Sequence, residues 1–146
     1  MIDRKFIGHV FPEREMIIKR WKVSQFANAI RDDNPLYYDV NYAKSKGHED
    51  LLVPPTFYTT MTFSDPNFFQ IVNIDFRKLL DGGREIIYHS PCYANDTILY
   101  QTRIESIEEK EGKRGKMDVL KVITEGKKKE TKEKVFTLII TLIVFH

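Results

Sequence analysis

The residues with the clearest chemical content lie in one short run, Arg31-Asp32-Asp33-Asn34-Pro35-Leu36-Tyr37-Tyr38-Asp39. It gathers carboxylates, an amide and phenols, groups that orient water and exchange protons. The phenols limit that chemistry. At neutral pH a group with a pKa of about 10 is a poor proton acceptor, whereas an imidazole at about 6.5 is well matched. By residue type alone the run also reads as an acidic helix stop, because Asp and Asn favour turns and Pro35 biases Asn34 away from helical geometry. The four histidines, His9, His48, His89 and His146, are scattered and form neither a HExxH nor a Cys/His cluster, so no metal site is expected. Cys92, the single cysteine, follows Pro91 near a strand end and reads as structural rather than nucleophilic. With no partner for a disulfide in the chain, a reducing compartment is the simplest setting, and the cytoplasm is expected. A nucleophile elbow, a P-loop and a dinucleotide fingerprint are all missing.

The surrounding elements must position that run. Val23, Phe26, Ala27 and Ile30 form the apolar stripe of a helix predicted over residues 20–31, which delivers the acidic run at its end. A short strand over 15–19 precedes it, and a turn of helix is expected over 41–45, ending near Gly47. In Leu51-Leu52-Val53-Pro54-Pro55-Thr56-Phe57, Pro54 must be extended because a proline follows it, while Pro55 suits the first position of a helix running towards Phe63. Threonines and aromatics are poor helix formers, so packing must hold that helix, and it should be buried. Gly82-Gly83 reads as a turn. Beyond it a two-residue period predicts strands over 84–89, 97–108, 118–125 and 135–145. Helices first and strands afterwards make an α+β domain, and 146 residues suit one domain over 1–146.

A net charge of +2 is far from the surplus of a nucleic-acid binder, and glutamates interleave the lysine-rich connections after 108 and 126. No nucleic-acid partner is expected. Charges interrupt the first residues, so no secretory h-region is read there. The segment 135–145 is about half of the roughly 20 apolar residues a membrane helix needs, so it is expected to be a buried strand. On that strand Phe136, Leu138, Ile140, Leu142 and Val144 share one face, and Val135, Ile139, Ile143 and Phe145 make the other nearly as apolar. Another subunit or further chain is expected to cover the second face.

The run 31–39 resembles the GDxNPxHxD signature of the MaoC-like, (R)-specific enoyl-thioester hydratases. Leu51 to Phe57 resembles the Ala-Pro-Pro-Thr-Phe segment of the N-terminal-type MaoC dehydratase subfamily. Asp75 to Glu85, continuing through Tyr88-His89-Ser90-Pro91 to Asn95-Asp96-Thr97, resembles that subfamily's LLHGEQEFEYHRPxxAGDT stretch. The three runs keep the family's order and spacing, and the resemblance extends from about residue 15 onward. It implies a hot-dog fold, a long antiparallel sheet wrapped around a central helix, in a protein that dimerises. It also implies an acyl thioester substrate, carried on coenzyme A or acyl carrier protein, and no further cofactor.

In active members the Asp and His of the signature hold a water between them, and a backbone N–H at the start of the central helix stabilises the thioester enolate. By position these catalytic places fall on Asp32, Asn34 and Tyr37, with Tyr37 where the histidine should be. Pro55 falls where a glycine should donate its N–H, and proline has none to give. Thr56 is the neighbouring amide. Phe57, Tyr58 and Met61 are placed as candidates to line an acyl tunnel, although core packing suits each of them too. The resemblance therefore points to a silent subunit paired with an Asp/His-bearing hot-dog chain, as in heterodimeric (3R)-hydroxyacyl-thioester dehydratases. Two alternatives stay open: a self-contained hydratase using Asp32 with Tyr37, His48 or His89, and a thioesterase-like or acyl-thioester-binding homodimer.

Overall fold

The computed structural model describes residues 1–146. Its elements are β1 (Arg14–Ile17), α1 (Arg20–Ala29), α2 (Val40–Ser45), a 3-10 central helix (Pro55–Met61), α3 (Phe68–Ile71) and four long strands. The strands are β2 (Leu79–Tyr88), β3 (Thr97–Gly112), β4 (Gly115–Lys128) and β5 (Lys134–Phe145). They form one antiparallel sheet in the order β1-β3-β4-β5-β2, which leaves β1 and β2 as its edges. No helix is long and apolar enough to cross a membrane.

Alternation puts the core on one face of this sheet. Ile98, Tyr100, Thr102 and Ile104 of β3 point inward with Leu120, Val122 and Thr124 of β4 and Leu138, Ile140 and Leu142 of β5. A bulge between Ile104 and Ser106 inserts one residue, which returns the odd-numbered Ile107 to the buried side. The other face of β5 is not covered by this chain: Ile139, Ile143 and Phe145 are half-buried among their sheet neighbours. Gly82-Gly83, expected as a turn, instead lies inside β2 at a bulge against β5. A Cβ on Gly82 would come within 2.9 Å of the Thr141 side chain, and Gly83 has φ of +128°, so neither position accepts another residue without strain. The strand therefore starts at Leu79, not at 84.

The central helix lies against the inner face, and its geometry follows from its threonines. The hydroxyls of Thr59, Thr60 and Thr62 donate to the carbonyls of Thr56, Phe57 and Thr59, three residues back in each case. Such bonds compete with regular α-helical pairing and fit a 3-10 turn, so the helix is tighter and shorter than the predicted run to Phe63. Tyr58 stacks on Phe136 of β5 with centroids 4.7 Å apart, and the Phe136 ring lies over the backbone of Gly126. A side chain on Gly126 would occupy the space of that ring.

Candidate active site

Helix α1 ends at Ala29, two residues earlier than the apolar stripe predicts, because Arg31 turns into the left-handed region with φ of 57°. The Arg31 N–H donates to Asn28 O at 3.0 Å and the Asp32 N–H to Ala27 O at 2.9 Å, the double bond of a Schellman stop. Asp32 Oδ1 then accepts the Asn34 N–H at 3.0 Å, and Asn34 Oδ1 accepts the Leu36 N–H at 3.1 Å, which caps one turn of helix over Pro35–Tyr37. The Tyr38 hydroxyl donates to the Asp32 carbonyl at 2.7 Å, and the Ser24 hydroxyl to the Tyr37 carbonyl at 3.0 Å. The acidic run is a helix stop and a pre-set carboxylate at once, with Asp32 Oδ2 taking no protein donor.

Tyr37 is buried, and that burial, with the charge of Asp32 nearby, pushes its phenol above the ordinary tyrosine pKa. At neutral pH it is a neutral hydroxyl beside a carboxylate. It can donate a hydrogen bond, but it cannot take up a proton.

Backbone bonds join the three runs edge to edge. Leu52 donates its N–H to Leu36 O at 3.0 Å, Val53 to Cys92 O at 3.0 Å, and Ala94 to Leu51 O at 2.9 Å. Asp50 fixes this junction: Arg20 grips its two oxygens at 3.0 and 2.7 Å, the Leu51 N–H adds a bond at 2.7 Å, and Asn95 Nδ2 adds one at 3.2 Å. The Arg20 bond is the largest of the effects that hold the Asp50 carboxyl below its usual pKa. Sequence reasoning missed this clamp. One signal for part of it was available, because Arg31 and Asn95 stand where the family's GDxNP and AGDT runs carry glycine, and both have positive φ.

The junction leads to a groove of about 440 Å³ at the start of the central helix, with Pro55, Tyr58, Tyr88, His48, His89 and Cys92 among its walls. The Tyr88 hydroxyl donates to the Pro55 carbonyl at 2.8 Å. Pro54 and Pro55 have no N–H, so the exposed Thr56 offers the first free amide of this helix. His48 Nδ1 pairs with the Tyr93 hydroxyl at 3.1 Å and His89 Nε2 with the Thr137 hydroxyl at 2.9 Å. Cys92 is buried, and burial pushes its thiol up to about 12, so it remains an unreactive thiol. Among the sites expected to meet substrate, Tyr58 lines this groove, Phe57 borders a different cleft, and Met61 is completely enclosed in the core. No group of three or more His, Cys, Asp or Glu residues is arranged to hold a metal ion.

Comparisons with known proteins give this geometry its setting. The model of the family described as "FAS1-like, dehydratase domain region" matches residues 5–137. A UPF0336 protein of Streptomyces avermitilis is 32% identical over 114 residues, 73% of each chain. A chain of the (3R)-hydroxyacyl-ACP dehydratase complex HadBC of Mycobacterium tuberculosis superposes with a TM-score of 0.81 at 23% identity, covering 94% of this chain and 96% of that one. The (R)-hydratase of A. caviae involved in PHA biosynthesis superposes with a TM-score of 0.72 at 14% identity, covering 93% and 94%. At these identities the superpositions establish the fold, a hot dog.

Proposed function

This chain belongs to the FAS1-like dehydratase-region family, and on that basis we propose that it is the non-catalytic subunit of a (3R)-hydroxyacyl-thioester dehydratase. In this reading it completes the acyl-binding site of a hot-dog partner that carries an intact Asp/His pair. The observation that carries the proposal is the buried phenol of Tyr37, held protonated by its burial and by the charge of Asp32 nearby, at the position where the reaction needs an imidazole. Hydration of a trans-2-enoyl thioester requires a base for the attacking water and a proton for the α-carbon. Asp32 supplies a carboxylate, but the second group is missing. Pro55 removes a second requirement, the N–H at the helix start that would meet the enolate oxygen. Thr56 is the only nearby replacement.

Two observations support a partner. A chain of HadBC is similar to this one, as is a chain of the ChsH1-ChsH2 complex, also from Mycobacterium tuberculosis and with a TM-score of 0.68; both are complexes of two subunits. In addition, β2 is a ten-residue edge strand with Leu80, Ile87 and Tyr88 exposed, an open edge on which a second sheet can continue. The acyl group would arrive on coenzyme A or acyl carrier protein, with no other cofactor. The self-contained alternative draws on His48 and His89, which line the groove beside Pro55.

The test is to assay the purified chain with crotonyl-CoA, alone and with a co-expressed Asp/His-bearing hot-dog chain. Turnover only in the mixture is expected. Brisk hydration by the isolated chain that disappears in His48→Ala or His89→Ala would establish the self-contained enzyme instead. Release of free thiol without hydration would make it a thioesterase.

A further inference from the structure

With about three residues per turn, the central helix presents Pro55 and Tyr58 on one side and Phe57 and Thr60 on another. The groove at Pro55 is therefore distinct from a second cleft, of about 500 Å³, between α1 and this helix. Trp21, Phe26, Ala29, Phe57 and Thr60 are among its walls. Phe26 and Phe57 meet edge to face at 5.4 Å and form its apolar side. Trp21, the only tryptophan of the chain, is 61% exposed at its mouth. Large aromatic surface left in water marks a binding surface more often than a scattered aliphatic residue does.

The cleft continues into a polar depression. Met16, Trp21 and Lys22 border both, and the depression adds Arg14 and Lys19. None of these three cations has a salt-bridge partner. Glu15, the one carboxylate on the wall of the depression, holds Lys129 at 2.9 Å, and Asp50 holds Arg20. Lys22 Nζ lies 5.8 Å from the Trp21 ring, so the indole stands where the apolar and the basic parts meet.

We propose that this cleft binds an amphipathic anion, an alkyl chain that ends directly in a carboxylate or a phosphate. The chain would lie against Phe26 and Phe57, and the charge among Arg14, Lys19 and Lys22. A pantetheine thioester does not match it, because a long polar arm separates its phosphate from its acyl chain. The cleft is thus a second ligand site, and the inference stands whether or not the chain is a silent dehydratase subunit.

Trp21 is a built-in reporter. The intact chain is titrated, below micelle formation, with dodecanoate and dodecyl phosphate while indole emission is recorded. A saturable blue shift with both is expected. Butyrate and dodecyltrimethylammonium should bind about tenfold more weakly or less, since each lacks half of the recognition. Lys19→Glu combined with Lys22→Glu should weaken dodecanoate about tenfold with unchanged circular dichroism. Ala29→Phe, which fills the cleft, should weaken it as well. Equal binding of the cationic amphiphile would overturn the proposal, as would the absence of any shift. A shift seen only with anionic phospholipid vesicles would also overturn it and would make the patch a membrane contact.

Discussion

The two ends of the central helix are built on opposite terms. At its C-terminal end the polar side chains of Thr62, Ser64, Thr102 and Thr124 are buried and paired. The Thr124 hydroxyl donates to the Thr62 carbonyl, so its single proton is used there and Thr102 must donate to Thr124 across 2.7 Å. Ser64 and Thr102 exchange two further bonds, N–H to hydroxyl oxygen in each direction, both 2.9 Å. At the N-terminal end Pro54 and Pro55 supply no donor, the Thr56 amide is open, and the helix faces a groove. One end fixes the helix on the sheet, and the other leaves the Thr56 amide for something outside the chain. An amide left open at a helix start that faces a groove makes a site that the fold positions but does not complete.

The largest expected effect lies at the open end. In the proposed reading, Tyr37→His alone should leave hydratase activity near background, because Pro55 has no N–H to offer an enolate. Tyr37→His with Pro55→Gly should raise it by about a hundredfold over either single change, the scale of one general base together with one oxyanion donor. Assays of the isolated variants with crotonyl-CoA decide this. Strong activity from the single change would mean that Thr56 already serves as donor and that the contrast between the ends has been overdrawn.

At the closed end, Thr124→Val keeps the shape and removes the hydroxyl. It leaves the Thr62 carbonyl without its donor and the Thr102 hydroxyl without its acceptor. A loss of about 2–3 kcal/mol in denaturant unfolding is expected, with no change in any activity measured with a partner. A loss of activity at full stability would show that the closed end takes part in the chemistry.

A smaller effect is expected at the Asp50 clamp, where Arg20 is half-exposed and solvent screens the pair. The folded-state pKa of Asp50 is depressed, chiefly by the Arg20 bond. Its contribution is therefore present above the unfolded carboxylate value, about pH 4, and is lost as pH falls through the lower folded value. Asp50→Asn should flatten the dependence of the thermal midpoint on pH in that acidic window, and should cost less stability at neutral pH than Thr124→Val. An unaltered acid limb would mean that the clamp does not hold the loop junction.

How much of this was legible in the sequence follows the same divide. The strand faces and the helix before the acidic run were readable, because alternation and helical spacing are local properties. The bulges at Gly82 and after Ile104 were not, since each exists only relative to a partner strand. Neither was the hydroxyl network, whose members are separated by up to 62 residues. Of the site, the three runs were found by their order, while the bonds that stitch them together and the Asp50 clamp depend on the fold.

The smallest predicted effect separates two residues that stand where the family's runs carry glycine. Arg31 and Asn95 both have positive φ, 57° and 73°, a region that costs a side-chain-bearing residue about 1–2 kcal/mol. The Arg31 side chain is exposed and makes no hydrogen bond or ion pair, so nothing offsets its strain. Arg31→Gly should therefore relieve the Schellman stop and lose only the entropy a glycine adds to the unfolded chain. The net gain should be about 0.5 kcal/mol, read as a higher denaturation midpoint at constant slope. Asn95 is different, because asparagine tolerates this region and its amide reaches Asp50 at 3.2 Å. Asn95→Gly should give no gain and shift the midpoint slightly downward. Equal gains at both positions would mean that the Asn95 amide contributes nothing to the clamp, and that the loop junction is held by Arg20 and the backbone alone.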